Sequence, residues 1–251
     1  MPGVNSVVNS VSGQVVAGSV PLLTPGGTLH IYDPLPGGAL GQGTVLQIYG
    51  SNFSASSAQA TALPLPTTLG GTSVTIGGIA APLYYVGPNQ IDAQLPHELT
   101  PGNSYQVMVN SNGVLSMPDT IHVTTATPGI AAFASGQIVA QHADYSLVTE
   151  SSPAVPGEYL VIYLSGLGLT DNILADGAQT PPSPALTPLI APTLTLNGVS
   201  IPIYFSGLTP GYAGLYQMNF QIPLNTPNGD IQLVVSQGGS ASNRAILPVH
   251  N

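Results

Sequence analysis

The chain has 251 residues, 43% of them hydrophobic and only 4% charged, where about 25% charged is usual. There is no Lys, a single Arg (Arg244), ten carboxylates and no Cys, so the net charge is -9. This composition excludes nucleic-acid binding, which needs cations against phosphate, a polybasic membrane anchor, disulfides and thiolate metal sites, and lysine-based catalysis.

Gly 30 and Pro 25 are high, yet the apolar content is too great for a disordered chain. Many short strands joined by Gly/Pro turns fit better. No apolar run reaches the roughly 18 residues of a membrane span, so none is expected. Met1-Pro2-Gly3 has neither a basic nor an apolar leader region, which points to a mature or excised product with an added start Met, the alternative being an uncharged cytosolic protein.

In chain order, Val4 to Asn9 reads as a strand. Gln14 to Leu23 and Thr28 to Tyr32 read as a hairpin about a Thr24-Pro25-Gly26-Gly27 turn. Thr44 to Tyr49 is a strand, echoed by Tyr159 to Leu164. The Pro-rich stretches Ser54 to Thr68 and Thr170 to Pro192 correspond, and each is expected to cross from one sheet to another over the surface.

Next comes Val74 to Pro96, VTIGGIAAPLYYVGPNQIDAQLP, which returns as Leu194 to Pro223, LTLNGVSIPIYFSGLTPGYAGLYQMNFQIP. Pairs such as Gly78/Gly198, Pro82/Pro202, Tyr84/Tyr204, Gln90/Gln217 and Gln94/Gln221 recur at nearly fixed offset. Tyr105 to Val109 matches Ile231 to Val235, each followed by a Gly turn. No stretch has sustained helical periodicity. The reading is all-β: two tandem immunoglobulin-like antiparallel β-sandwiches, 1–126 and 127–251, the first with an N-terminal extension or hairpin over about 1–42. A single closed barrel is the rival, and the repeat argues against it.

A search for chemistry finds no catalytic constellation. Gly-x-Ser-x-Gly is absent. The five His show no metal-ligand spacing. Asp171-Asn172 with Asp176-Gly177 lacks the spacing of a calcium loop and reads as Asx turns. No catalytic, cofactor or metal residue is assigned, and no cofactor is expected. Tyr84 and Tyr85 are adjacent, so in a regular strand they point to opposite faces, one to the core and one outward. Tyr212 and Tyr216 flank a loop insertion absent from the first copy, and exposed tyrosines can stack on sugars. Gln90, Asp92 and Gln94, like Gln217, Asn219 and Gln221, share one strand face. That face is either plain solvent surface or an interface between modules or subunits. Tyr212, Tyr216, Gln90, Gln94, Gln217 and Gln221 are therefore the candidate interaction surface.

Val45 to Asn52 (VLQIYGSN), Leu63 to Ile79, Pro82 to Pro96, Pro128-Gly129-Ile130, Tyr159 to Gly168 and Gly207 to Pro223 carry a resemblance. Over about residues 43–251 the chain resembles the tandem immunoglobulin-like C-terminal region of secreted acidobacterial proteins, the Solibacter-type uncharacterised C-terminal domain family. The resemblance implies an extracellular, non-enzymatic pair of β-sandwiches and supplies no catalytic or metal residues. The departure is at the front, where about 25 extra residues, roughly Gly13 to Gly38, intervene.

The charge deficit leaves weak self-repulsion and neutral strand edges without Lys gatekeepers. The expectation is a non-enzymatic extracellular or cell-surface structural protein, a self-assembling subunit of a fibre or surface layer whose partners are copies of itself. Strand addition is assigned to Val4, Val7, Val8, Val15, Val16, Leu29 and Ile31. The alternative is an extracellular module binding polysaccharide or another surface protein. With so few ionisable groups, little stability should be lost between neutral pH and about pH 3.

Overall fold

The structure, a computed structural model, describes residues 20–250. Among them every regular element is a strand. The first half makes two sheets. One has the order Leu22–His30, Val45–Ser51, Gln90–Gln94, Leu83–Val86, Ala58–Gln59. The other has the order Leu40–Gly41, Asp119–Thr124, Ser104–Ser111, Thr72–Ile76, Thr68–Leu69. The second half repeats the plan, with Gly129–Ile130, Tyr159–Ser165, Tyr216–Gln221, Ile203–Leu208 in one sheet. Its other sheet holds Val199–Ile201, Thr193–Leu196, Gly229–Gln237 and Ser240–Ala241, with Ala245–Val249 also pairing Gly229–Gln237. Both Pro-rich stretches carry the chain from the first sheet of their half to the second.

These are immunoglobulin-like β-sandwiches, and alternation of side chains builds them. Leu46, Ile48, Ile91, Ala93, Val107 and Val109 point between the sheets of the first and are buried. Leu160, Ile162, Met218, Phe220, Leu233 and Val235 do the same in the second. Each of these side chains other than Ala93 contributes about 1.5–3 kcal/mol by leaving water. The internal repeat extends to strand register. Val45 faces Gln94 and Tyr49 faces Gln90 in the first copy; Tyr159 faces Gln221 and Tyr163 faces Gln217 in the second. The two-residue turns Gly77-Gly78 and Asn197-Gly198 hold positive φ at both positions, the geometry whose twist suits a hairpin.

Two local expectations change. Thr24 to Gly27 does not reverse the chain. Leu23 pairs Gly50 and Thr28 pairs Ile48, so both flanks run along one strand and the four residues between form a wide bulge. Pro25 has no N–H to give the ladder, and Gly26 takes φ 65°. Leu22–His30 thus joins the sheet of its own chain. Tyr84 and Tyr85 do not divide between core and solvent, because Leu83 pairs Ala93 while Tyr85 pairs Asp92, leaving Tyr84 as an unpaired bulge. Both rings are half-buried. Tyr204 occupies the same bulge in the second copy.

Candidate functional site

The place where the two sandwiches meet is held mainly by side chains bonded to backbone. Gly41 N donates to Thr127 Oγ1 at 2.8 Å, and Val45 N to Ser165 Oγ at 3.0 Å. Gly177 N donates to Gln94 Oε1 at 2.6 Å, while Leu65 N donates to Gly177 O at 2.9 Å. The Tyr84 hydroxyl donates to Ala213 O. The His97 and Asp176 side chains pair across the same seam. Burial alone would raise the Asp176 carboxyl, but the hydrogen bonds and charge of His97, with a hydrogen bond to Glu98, together outweigh it and hold the group below the usual carboxylate range.

His30 sits at the centre of this seam, buried. Its Nδ1 accepts from Tyr32 N at 3.0 Å and Asp33 N at 3.2 Å. The proton is therefore on Nε2, which donates to Ser165 O at 3.3 Å. Desolvation lowers its pKa from 6.5 to about 4, against the raising effect of the bonds to Ser165 and Thr127. A neutral imidazole locked into the junction is a source of acid sensitivity that the expectation of indifference to acid did not include, because unfolding would let it charge.

Beside the seam lies an open groove of about 380 Å³. Its aromatic walls are Tyr32, from the chain just after Leu22–His30, Tyr163 of the Tyr159–Ser165 strand, and Tyr212. Ala132, Gln141 and Leu215 complete much of the lining. Tyr163 points outward because Ile162 and Leu164 take the core face of its strand. Its hydroxyl donates to Gln141 Oε1 at 2.6 Å, and Gln141 Nε2 donates to Tyr145 O at 3.0 Å. Desolvation, and then Tyr212 and Tyr145, raise the Tyr163 phenol above its ordinary value. Burial raises Tyr32 as well. Both stay neutral at physiological pH, and no ionic side chain lines the groove.

The predicted interaction residues fall in different places. Tyr212 is 57% exposed and stands in the groove. Tyr216 is only 2% exposed, and its hydroxyl donates to Gly168 O inside the core, so it is no surface residue. It faces inward because it shares a strand face with Met218 and Phe220. Gln94 is also 2% exposed, committed to the seam through Gly177. Gln90 bonds Asp92 Oδ1 at 2.7 Å. Gln221 donates to Gly157 O at 2.8 Å, and Gln217 is half-buried opposite Tyr163. Leu29 pairs Gln47 within the chain, and Ile31 is half-buried. Val4, Val7, Val8, Val15 and Val16 lie outside the described residues. Sequence reasoning missed Tyr32, Gln141 and Tyr163. Tyr163 had one signal, its outward position in the repeated strand; Tyr32 and Gln141 had none, since distant pairing brings them together.

A Ser152–His142–Glu158 array lies elsewhere. His142 Nδ1 is 2.5 Å from Glu158 Oε1 and its Nε2 is 3.4 Å from Ser152 Oγ. Nucleophilic catalysis also needs N–H donors for the oxyanion. Here Ser152 N donates to Thr149 Oγ1, and the next residue is Pro153, which has no N–H. The array ties its loop together. Asp171 likewise serves its own loop, accepting from Thr187 N at 3.1 Å. No three His, Cys, Asp or Glu gather to hold a metal among the described residues, and no helix there is long and apolar enough to cross a membrane.

Among protein-family models, the IPT/TIG domain matches residues 30–124, an immunoglobulin-like domain covering the first sandwich. None of the curated proteins matches the chain. Among solved structures, the chain is similar to SGBP-B of the Bacteroides ovatus mixed-linkage glucan utilization locus, in complex with a mixed-linkage heptasaccharide. The identity is 13%, covering 94% of this chain and 47% of that one, with a TM-score of 0.37. The Escherichia coli adhesin FdeC is 10% identical over 92% of this chain and 63% of its own, TM-score 0.28. A tandem of titin Ig domains is 12% identical over 84% and 89%, TM-score 0.25. The chain spans about half the length of the first of these, 47%. Scores this low carry no argument about function.

Proposed function

We propose that the chain is a non-enzymatic, extracellular contact module that holds surfaces together and converts no substrate. Residues 1–126 and 127–251 are taken as its two units. The observation that carries the reading is the outer face of the second sandwich, where Tyr159, Val161 and Tyr163 stand opposite Gln221, Asn219 and Gln217. Tyr204 packs edge-on against Tyr159 with ring centroids 5.4 Å apart, and both rings are more than half exposed. No ion interrupts this face. Tyrosine joins a large apolar body to a hydroxyl and is enriched at interface cores, where Lys, Glu and Asp are depleted. Amides pair there without the cost of stripping water from an ion. Such a face suits a polysaccharide or another neutral surface protein, and the resemblance to secreted Solibacter-type regions supports the extracellular placement.

A second reading, polymerisation of copies into a fibre or surface layer, draws on a separate feature. Ile203–Leu208 is the outermost strand of its sheet. Apart from Leu208 N, which donates to Leu186 O, its outer side is an edge on which another strand can pair. Leu22–His30 is used within the chain, so strand donation would fall to residues 1–19. Sedimentation at rising concentration with negative-stain imaging, alongside pull-down on insoluble polysaccharides, tests both readings. Concentration-dependent filaments that vanish on deletion of residues 1–19 support polymerisation. Retention on polysaccharide by a monomer supports the binding module. A monomer retained by nothing refutes the contact role.

A further inference from the structure

We infer that the groove walled by Tyr32, Tyr163 and Tyr212 binds an uncharged segment of oligosaccharide. The inference rests on the contact-module reading and names a ligand class for one part of that surface. The lining decides the ligand's charge first. No Asp, Glu, Lys, Arg or His reaches the groove, so a charged ligand would lose water there and gain no counter-ion. A net charge of -9 also repels polyanions from the whole molecule.

The lining also decides its polarity. Three phenol rings offer flat apolar faces, but each carries a hydroxyl. Tyr163 spends its proton on Gln141 Oε1, and Gln141 Nε2 gives one hydrogen to Tyr145 O, leaving its other N–H. The Tyr32 and Tyr212 hydroxyls have no protein hydrogen-bond partner among the described residues, and each can donate and accept. A purely apolar ligand would cover these groups without pairing them, at a cost. A sugar ring has C–H faces for the phenols and hydroxyls at its edge for the amide and phenolic oxygens. The volume, about 380 Å³, lies in the range of small-molecule sites, roughly 300–1,000 Å³.

The groove is also built rather than incidental. Val86 and Gln90 are joined by Gly87-Pro88-Asn89 in the first copy, whereas Leu208 and Tyr216 are joined by the longer Thr209 to Leu215. That extra length carries Tyr212. It is pinned by Thr180 N donating to Tyr212 O at 2.8 Å and Thr209 N donating to Leu215 O at 2.8 Å. The same loop takes the Tyr84 hydroxyl of the other sandwich on Ala213 O. Docking of the two halves and assembly of the groove are therefore one event, with Tyr32 contributed from one side and Tyr163 and Tyr212 from the other.

The test is affinity electrophoresis of the full chain through native gels containing soluble neutral polysaccharides (hydroxyethyl cellulose, xyloglucan, galactomannan) or an anionic one, alginate. Three variants run alongside: Tyr212→Ala, Tyr163→Ala and Tyr204→Ala. The expected result is retardation by at least one neutral polymer. Tyr212→Ala and Tyr163→Ala should weaken it by about tenfold or more, the usual loss for an interface-anchoring tyrosine. Tyr204→Ala, on the contact face but outside the groove, should weaken it less than either groove variant. Tyr212 is mostly exposed, so its variant should fold, and near-ultraviolet circular dichroism checks this for all three. Retardation abolished by Tyr204→Ala but kept by the groove variants would overturn the groove and leave the contact module standing. Retardation by alginate alone would overturn the neutral-ligand assignment. No retardation by any polymer would overturn the groove, and sedimentation of the same sample then decides separately whether the module contacts copies of itself.

Discussion

Acidification should loosen the junction through one side chain. His30 is neutral in the folded protein, with a pKa lowered from 6.5 to about 4 by burial. Between those values the unfolded chain binds a proton that the folded chain refuses. Stability therefore rises with pH across this window and is lost as pH falls from 6.5 towards 4. At about 1.4 kcal/mol per pKa unit, the loss is roughly 3 kcal/mol. For a chain of this size that corresponds to about 6–12 °C in Tm. Asp33, Asp92 and His142 act the opposite way. Burial raises Asp33 and Asp92, so protonating them on the way down favours the fold. Burial opposes the charged His142 ring, but bonds to Glu158 and Ser152 raise it overall. Its contribution is present below pH 6.5 and lost as pH rises through its folded value. Asp176, held low by His97, gives up its contribution only below about pH 3.8. The assay that isolates His30 is urea denaturation at pH 7, 5.5 and 4 for the parent chain and for His30→Asn. Asn can accept from the Tyr32 and Asp33 N–H groups but cannot titrate. The variant will be weaker at pH 7, yet its decline towards pH 4 should be shallower than the parent's by roughly 3 kcal/mol. Equal declines would refute the assignment of acid sensitivity to this buried ring.

Three further outcomes follow from the geometry. Gln94→Ala should cost about 2–4 kcal/mol by thermal melting, since it orphans the Gly177 N–H and empties a buried space; Gln221→Ala, its repeat partner on a half-exposed face, should cost about 1 kcal/mol or less. Tyr216→Phe leaves Gly168 O without its donor in the core and should cost about 1–3 kcal/mol in urea titration, with sugar binding unchanged. Gly166→Ala should cost about 3 kcal/mol or more, because its Cβ would fall 2.1 Å from Thr127 O at φ 80°. Gly78→Ala, also at positive φ (85°) but with open space around it, should cost only about 1–2 kcal/mol. Equal losses at the two glycines would show that backbone strain alone sets the cost, and not the close approach at the seam.

The sequence by itself determined the class of fold. Period-two alternation, Gly pairs at turns and a duplicated stretch are local or translational patterns, and strand register follows from them because a one-residue slip would bury the polar face. It also determined that the surface is nearly ion-free, which is composition alone. Where the alternation is broken, local reading failed: the bulges at Thr24 to Gly27 and at Tyr84 depend on which strand lies alongside. Tyr212 could be suspected from the loop insertion, but Tyr32, Gln141 and Tyr163 could not be grouped with it, since they lie far apart in the chain and are brought together by strand pairing in the second sandwich and by the docking of the first against it. The same docking buried Gln94, while Tyr216 went inward with the core face of its strand. It also turned His30, an unremarkable residue in an unremarkable strand, into the most strongly desolvated histidine of the junction. Side-chain direction along a strand is a short-range property; which outward-facing residues remain outward is decided only when the second sandwich covers the first.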